Sequence, residues 1–499
     1  MQFIVTAEEM KEYDNNTITH IGVPGMVLME RAALQLKEVI CKHVHNPQTM
    51  LIVTGVGNNG GDGLALARLF SREDCDVTVC RLGYLNKETE SFRTQRKILE
   101  HYSVEILEEE KALETLKEFA KVKAGFDVVV DAVFGVGLSR PLSGSFAEAV
   151  SAMNAIRGYK VAADIPSGIC ANTGKVLGCA FKADLTVTFG FAKRGLYLYP
   201  GTDYVGQLAV ADIGIAEQSF MGRIPKVFTY RDTPCKYLPK RANAGNKGTF
   251  GKVLLIGGFE KMTGAAILSA KAILRSGAGM VKVLLPSENR SILQTSVPEV
   301  MCGDFADIQS SLAWADVVAI GPGLGKSAEA IDILKQVLEC SDLPFVTDAD
   351  ALNIISADCN IKAFYLAYKG VKIMTPHMGE WSRLAGISVL ELKEDLFENV
   401  TKTAVEYQAI VVCKDARTLV AHPDGRIYLN TTGNNGMATA GSGDALTGIV
   451  AGLLAQNNDA FTMASLAVYL HGMAGDTARD IYTEYGVTAG RIVDNIRVE

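Results

Sequence analysis

Two glycine-rich runs carry the densest chemistry in this chain. The first, Gly55-Val56-Gly57-Asn58-Asn59-Gly60-Gly61-Asp62-Gly63, follows the apolar segment Met50–Thr54 and leads into a helical stretch, Leu64–Ser71. Glycines let the backbone turn tightly and present consecutive N–H groups, and a helix N-terminus adds partial positive charge, so such a run suits phosphate. Asn58, Asn59 and Asp62 exceed what a phosphate turn needs, and the spacing is not a dehydrogenase GxGxxG with an acid ~20 positions on. The second run, Gly433–Gly448, contains Ala440-Gly441-Ser442-Gly443-Asp444 and opens an apolar helix over Ala445–Ala455. Main-chain donors of Ala440–Gly443 would face an anion there, and Asp444 beside them could take the proton of a hydroxyl attacking a phosphoryl group. No Walker A GxxxxGK[ST] occurs, which argues against a P-loop fold.

Six further motifs fall where strands should end. They are Asp131-Ala-Val-Phe-Gly135-Val136-Gly137-Leu138-Ser139-Arg140-Pro141, Asp164-Ile-Pro-Ser167-Gly168 and Gly321-Pro-Gly323-Leu-Gly325, then Asp348-Ala-Asp350, Thr375-Pro-His377-Met-Gly379-Glu380 and Lys414-Asp415-Ala416-Arg417-Thr418. Taken singly, a strand-end acid is most often a cap and a strand-end histidine structural. In an open parallel sheet, however, the carboxyl ends of the strands face the ligand crevice. The expectation is therefore that each half gathers its motifs in one crevice.

The elements that must position these residues are legible from hydrophobic pattern. Thr6 with Glu9 forms a capping box for an opening helix whose apolar face runs through Met10, Tyr13 and Ile18, and a second helix spans about Gly25–His43. Apolar strands at Met50–Thr54, Val77–Arg81, Asp127–Ala132, Lys160–Ala163 and Leu185–Gly190 alternate with helical stretches, which predicts a doubly wound parallel sheet. Around 217–247 the pattern loosens, with Pro225, Pro234 and Pro239 among polar residues. Strands then resume at Gly251–Gly257, Val281–Leu285, Val317–Ile320, Phe345–Asp348, Lys372–Thr375 and Ala409–Lys414. Two tandem α/β domains, 1–224 and 225–499, are the reading, with no internal repeat linking them.

Composition excludes several classes. At 499 residues, 48% hydrophobic and 21% charged, the chain is of a soluble globular type with room for more than one core. A net charge of −7 argues against nucleic-acid partners. Ten cysteines without CxxC or zinc-ligand spacing fit a reducing compartment. The first residues lack a basic region followed by an apolar one, and no apolar run reaches the ~18 residues of a membrane span. A cytoplasmic protein with no membrane partner is expected.

Taken together, GVGNNGGDG, DAVFGVGLSRPLSG, DIPSG and TVTFGFAKRGLYLYPG resemble the NAD(P)H-hydrate epimerase domain over about the first 215 residues. From about residue 235 onward, the motifs around Gly321–Gly325, His377, Lys414–Thr418 and Gly433–Gly448 look like the NAD(P)H-hydrate dehydratase domain, a ribokinase-like branch. The resemblance implies a multifunctional enzyme, isomerase and lyase, with a Rossmann-like domain followed by a ribokinase-like one. Its substrates would be the R and S hydrates of NADH and NADPH.

By that likeness Asn58, Asn59, Gly60, Gly61, Asp62, Gly135–Pro141 and Asp164 would hold the hydrated dinucleotide, with Asp164 the first candidate for acid–base work. Asn59, Asp131 and Ser167 would ligate K⁺. In the second half Ala265, Gly323 or Gly325, His377 and Asp444 would contact substrate. Lys414, Asp415, Ala416, Arg417, Thr418 and Gly443 would hold ADP, which brings Mg²⁺, and Asp444 would be catalytic. The likeness associates such fusions with ADP; the motif spacing itself does not separate ADP from ATP. A homo-oligomer is the expected assembly.

Two alternatives stay open on sequence: a ribokinase-like small-molecule kinase carrying a dinucleotide-sensing domain, and a non-enzymatic interaction module. The intact set Asn59, Asp62, Asp131, Asp164 and Ser167 weighs against the second.

Overall fold

The computed structural model describes residues 1–498 other than 74, 103, 232, 233, 239, 242 and 260, with the side chains of 234 and 235 also outside the description. Pro239, one of the prolines that marked the loosened stretch, is therefore outside the described residues. The chain divides into two compact units, Gln2–Pro225 and Lys226–Glu499.

In the first unit the strands are β1 (Gln2–Val5), β2 (Thr49–Thr54), β3 (Asp76–Arg81), β4 (Glu105–Glu108), β5 (Gly125–Ala132), β6 (Arg157–Ala163), β7 (Leu185–Phe189), β8 (Ala192–Lys193) and β9 (Gln207–Ala211). Seven of them form one sheet in the order β4-β3-β2-β5-β6-β7-β9, every pairing parallel. Central strands buried on both faces read as continuous apolar runs. Thus Met50 and Ile52 of β2 pack into one core, while Leu51 and Val53 pack into the other. The chain direction across the sheet reverses between β2 and β5, which pair from Met50↔Val128 to Thr54↔Ala132. Ligands of such sheets bind at that switch point. The short strands β1 and β8 pair separately, Val5 opposite Lys193.

Three helices of this unit matter for the site: α1 (Ala7–Asn16), α2 (Gly25–His43) and α3 (Asn58–Ser71). The Thr6–Glu9 capping box forms as expected. Beyond Asn16, however, the chain enters a π-turn, Thr17–Ile21, and Ile18 is exposed rather than continuing the apolar face. Helix α3 begins six residues before the expected Leu64. The reason is packing: a β-carbon at Gly60 would lie 2.2 Å from Gly55 O, and one at Gly63 would lie 2.7 Å from Ala132 Cβ. These glycines let the helix start directly against β2 and β5, so the run is helix and not an extended loop.

The second unit contains β10 (Val227–Thr229), β11 (Lys252–Ile256), β12 (Met280–Leu284), β13 (Met301–Gly303), β14 (Val317–Ile320), β15 (Phe345–Thr347), β16 (Lys372–Met374), β17 (Ile410–Cys413), β18 (Leu419–Ala421) and β19 (Ile427–Leu429). Their order is β13-β12-β11-β14-β15-β16-β17-β18-β19-β10. Pairing is parallel through β17 and antiparallel at β17–β18 and β18–β19. The expected apolar helix runs over Ser442–Leu454, three residues earlier than Ala445 at its start and one short of Ala455 at its end. Gly441 is its N-cap at φ +87, where a side chain would be strained and a β-carbon would lie 2.4 Å from Leu268 Cδ1. Among the described residues no helix is long and apolar enough to cross a membrane.

Candidate active sites

A cavity of about 500 Å³ opens at the switch point of the first sheet. Asn58, Asn59 and Asp62 of α3, the loop Val133–Leu138 after β5, and Asp164 after β6 all line it. Lys193 and Asp14, which the motif reading did not select, line it too. Of the remaining expected residues, Gly60 and Gly61 turn toward Gly55 and Met29, and Ser139, Arg140 and Pro141 fall outside the lining.

Asp164 holds a left-handed backbone, φ +68, uncommon for a residue with a side chain and characteristic of functional sites. Its amide donates to Val187 O at 2.8 Å, which ties the turn to β7. Three donors converge on one carboxylate oxygen: Lys193 Nζ at 2.6 Å, Thr188 Oγ1 at 3.1 Å and Phe189 N at 3.3 Å, all to Oδ1. Oδ2 is left toward Gly135, where a β-carbon would be 3.1 Å away. Lys193 is almost wholly buried and spends its other donors on Thr188 Oγ1 and Phe189 O. All three donors fall on Oδ1, so among the described residues Oδ2 accepts no hydrogen bond.

Beneath the cavity wall, Ser167 Oγ donates to Asp131 Oδ1 at 2.7 Å and Ser167 N donates to Asp131 Oδ2 at 2.7 Å. Phe134 N donates to Ser167 Oγ at 2.9 Å, so this knot joins the loops after β5 and β6. Burial pushes the Asp131 carboxyl up to about 6 against these donors. Near Gly135, where a β-carbon would lie 3.4 Å from Asn59 Cγ, the Asn59 amide is buried with neither Oδ1 nor Nδ2 hydrogen-bonded. A buried orphan carbonyl oxygen costs about 1–3 kcal/mol unless something satisfies it, and an alkali cation or a ligand donor would. Asp62 is also nearly buried, and burial foremost, then the Asp164 and Asp14 charges, raise its carboxyl well above the ordinary range.

The second unit gathers its own constellation. Lys414 Nζ lies 2.7 Å from Asp348 Oδ1, and Thr447 Oγ1 donates to Asp348 Oδ2 at 2.7 Å. Asp444 stands on the first turn of the Ser442–Leu454 helix, its carbonyl held by Ser269 Oγ at 2.9 Å. A β-carbon on Gly443 would be 3.1 Å from Lys414 Nζ, so the ammonium sits directly against the helix mouth. Burial, then the Asp348 carboxylate, pushes the Asp444 carboxyl up to about 6 despite Lys414. Burial opposes the Lys414 charge, but Asp348 and Glu380 outweigh it and hold the ammonium above its usual range. Glu380, mostly buried, is driven up to about 7.

His377 caps its own helix: Nδ1 accepts from Gly379 N at 3.0 Å, and Nε2 lies 3.3 Å from Glu380 Oε1. Gly323 packs on Met262 and Ala265, whereas the space beside Gly325 is open. Arg417 donates to Thr431 O at 3.3 Å, Thr418 lies against the Asp415 carbonyl, and Asp415 pairs with Lys393. Behind the helix mouth, His471 Nε2 meets Ser442 Oγ at 3.3 Å, and burial lowers that imidazole to about 4, so it stands neutral. The nine described cysteines are free thiols.

The first unit thus has a switch-point cavity lined by amides and carboxylates, and the second an acid at a glycine-capped helix mouth. A family model described as YjeF-related protein N-terminus matches residues 25–195, and one described as NAD(P)H-hydrate dehydratase matches 253–497. The bifunctional NAD(P)H-hydrate repair enzyme Nnr of Moorella thermoacetica is 38% identical over 99% of this chain and 95% of its own length. That of Coxiella burnetii is 37% identical over 96% and 95%, and that of Escherichia coli 32% over 97% and 91%. A ribokinase-like superfamily structure from Enterococcus faecalis covers 55% of this chain and 95% of its own, at 33% identity and a TM-score of 0.50. The chain belongs to the bifunctional NAD(P)H-hydrate repair enzymes.

Proposed function

We propose that residues 1–224 interconvert the R and S hydrates of NADH and NADPH, and that residues 225–499 use ADP to dehydrate the S form to NAD(P)H, AMP and phosphate. The observation that carries the second half is Asp444 on the first turn of a helix whose mouth is flanked by Lys414. Hydroxide leaves poorly. With Asp444 accepting the proton of the ring hydroxyl, that oxygen attacks the β-phosphorus of ADP, and AMP departs. The ring nitrogen's lone pair then expels phosphate, and loss of a proton from the neighbouring carbon restores the dihydropyridine. Main-chain donors at the helix mouth and the Lys414 ammonium neutralise charge on the transferring group. Gly325, with open space beside it, is the better placed of the two candidate glycines for substrate.

Mg²⁺ would arrive on the diphosphate and screen its charge. Such ions take one or two carboxylates plus phosphate, and Asp348 and Glu380, which flank Lys414, would hold it. In the first unit the orphaned Asn59 oxygen suits K⁺, with Asp131 and Ser167 as the further oxygen ligands, and the ion would supply fixed positive charge near the pyrophosphate. Asp164 Oδ2 is the acid–base atom facing the hydrated ring. A cytoplasmic homo-oligomer completes the reading.

The test offers chemically hydrated NADH with ADP and follows the NADH absorbance band, with R and S hydrates separated by chromatography. Consumption of both epimers with release of AMP supports both halves. Stable accumulation of a phosphorylated hydrate without NADH would overturn the dehydratase and favour a kinase.

A further inference from the structure

We propose that Asp14 is the second proton-transfer residue of the epimerase, working with Asp164 in the same cavity; this deepens the epimerase reading above and rests on it. Asp14 belongs to α1, ahead of the matched segment that starts at residue 25, and no motif pointed to it.

Its placement is built rather than incidental. Strand β1 pairs with β8 so that Val5 lies opposite Lys193, and α1 starts two residues later. Three tethers then hold the helix: Ala7 N donates to Asn172 Oδ1 at 2.7 Å, Tyr13 OH to Arg223 O at 2.9 Å, and Asn16 Nδ2 to Ser219 O at 2.9 Å. Three residues after Asp14 the helical geometry changes, at the π-turn Thr17–Ile21, a distortion common at functional sites. The Asp14 side chain lines the cavity with Asp62, Asp164 and Lys193, and among the described residues no hydrogen bond engages its carboxyl. It is half-buried, so it can exchange protons with water, whereas Asp62 is sunk in the floor. Burial foremost, reinforced by Asp164 and opposed by Lys193, shifts the Asp14 carboxyl toward keeping a proton.

The reaction needs two such groups. Water added across an enamine puts the hydroxyl on the carbon next to the ring nitrogen, so the substrate is a carbinolamine. Its C–H bond there is not acidic, and breaking C–O would expel hydroxide, which leaves poorly without activation, so the proposed inversion goes through C–N. Asp164 Oδ2 takes the hydroxyl proton, the C–N electron pair goes to nitrogen, and nitrogen takes the Asp14 proton. The product is an open-chain aldehyde with an N–H enamine. Rotation presents the other carbonyl face. Nitrogen re-attacks it and returns its proton to Asp14, while the oxygen recovers its proton from Asp164. Nothing is gained or lost.

The full-length protein tests this. Starting from purified (R)-NADH hydrate without ADP, appearance of the S epimer is followed by chromatography, with the spontaneous rate subtracted. Asp14→Asn is expected to lower kcat by about 10²-fold or more, with KM within about threefold of the parent. Asp14→Glu should recover much of the loss. An Asp14→Asn protein that keeps kcat within about threefold, or one that changes only KM, overturns the proposal. So does a loss found in Asp62→Asn but not in Asp14→Asn, which would transfer the role to Asp62. Failure of the unaltered protein to interconvert the epimers would instead overturn the epimerase reading itself, and Asp14's role with it.

Discussion

Lys193 Nζ lies 2.6 Å from Oδ1 of Asp164, and both side chains are largely withdrawn from solvent. Because Thr188 and Phe189 also donate to Oδ1, the remaining oxygen, Oδ2, is left toward the cavity-lining Gly135. Removing one partner of a buried pair leaves an uncompensated charge and costs about 3–5 kcal/mol. Lys193→Met should therefore lower the melting temperature of the first unit and abolish detectable epimerisation. ADP-dependent turnover of purified S hydrate should persist. Scanning calorimetry with the two separate assays checks this, and undiminished epimerisation would show that Lys193 does not position Asp164.

Gly441 sets the start of the helix that carries Asp444. With φ +87 and Leu268 Cδ1 2.4 Å from where a β-carbon would be, Gly441→Ala must either move Leu268 or unwind the first turn. Left-handed strain alone costs about 1–3 kcal/mol. The expected outcome is dehydratase kcat/KM reduced by about 10²-fold, since small misplacement of a catalytic group costs that much, with epimerisation intact. A variant of parental dehydratase activity would show that the turn is not held by this residue.

The central parallel strands and their approximate bounds were legible because strands buried on both faces are written as unbroken apolar runs, whereas β1, β4, β8, β9, β10, β13 and the antiparallel β18 and β19 were not expected. The start of α3 was not, because Gly60 and Gly63 look like loop residues until their closeness to Gly55 and Ala132 is known. Lys193 lies inside the TVTFGFAKRGLYLYPG segment, yet nothing in the spacing there signals its pairing with Asp164. Only the pairing of β6 with β7 brings its partner Asp164 beside Thr188 and Phe189. Asp14 is further still, joined to the cavity by the β1–β8 pairing. Residues that act through contacts distant in sequence leave no spacing to read.

Each unit owns its core and its proposed catalytic residues: Asp164 and Lys193 fall before Pro225, Asp444 and Lys414 after it. Segments 1–224 and 225–499 expressed separately should each keep their activity, within about threefold of the whole chain. Mixed, they should restore NADH from both hydrates. Soluble, folded halves that are inactive would show that each site depends on the whole chain.

With its carboxyl raised to about 6 by burial and then by Asp348, Asp444 as the proposed base should give the dehydratase a characteristic pH dependence. A raised value means that the proton is held to higher pH than usual. The basic form that accepts the hydroxyl proton is therefore lost as pH falls through about 6, not through the ordinary carboxylate range near 4. For free enzyme this appears in kcat/KM, which should decline about tenfold per pH unit below 6. Weakening the neighbouring charge should move the limb: in Asp348→Asn, where like-charge repulsion is gone, the break should shift to lower pH, although loss of the Lys414 pair lowers overall activity. Asp444→Asn should remove the limb altogether and reduce turnover by about 10² to 10⁴, with ADP still bound in calorimetry. A profile flat from pH 7 to 4.5 in the parent would show that Asp444 is not the group that takes the proton.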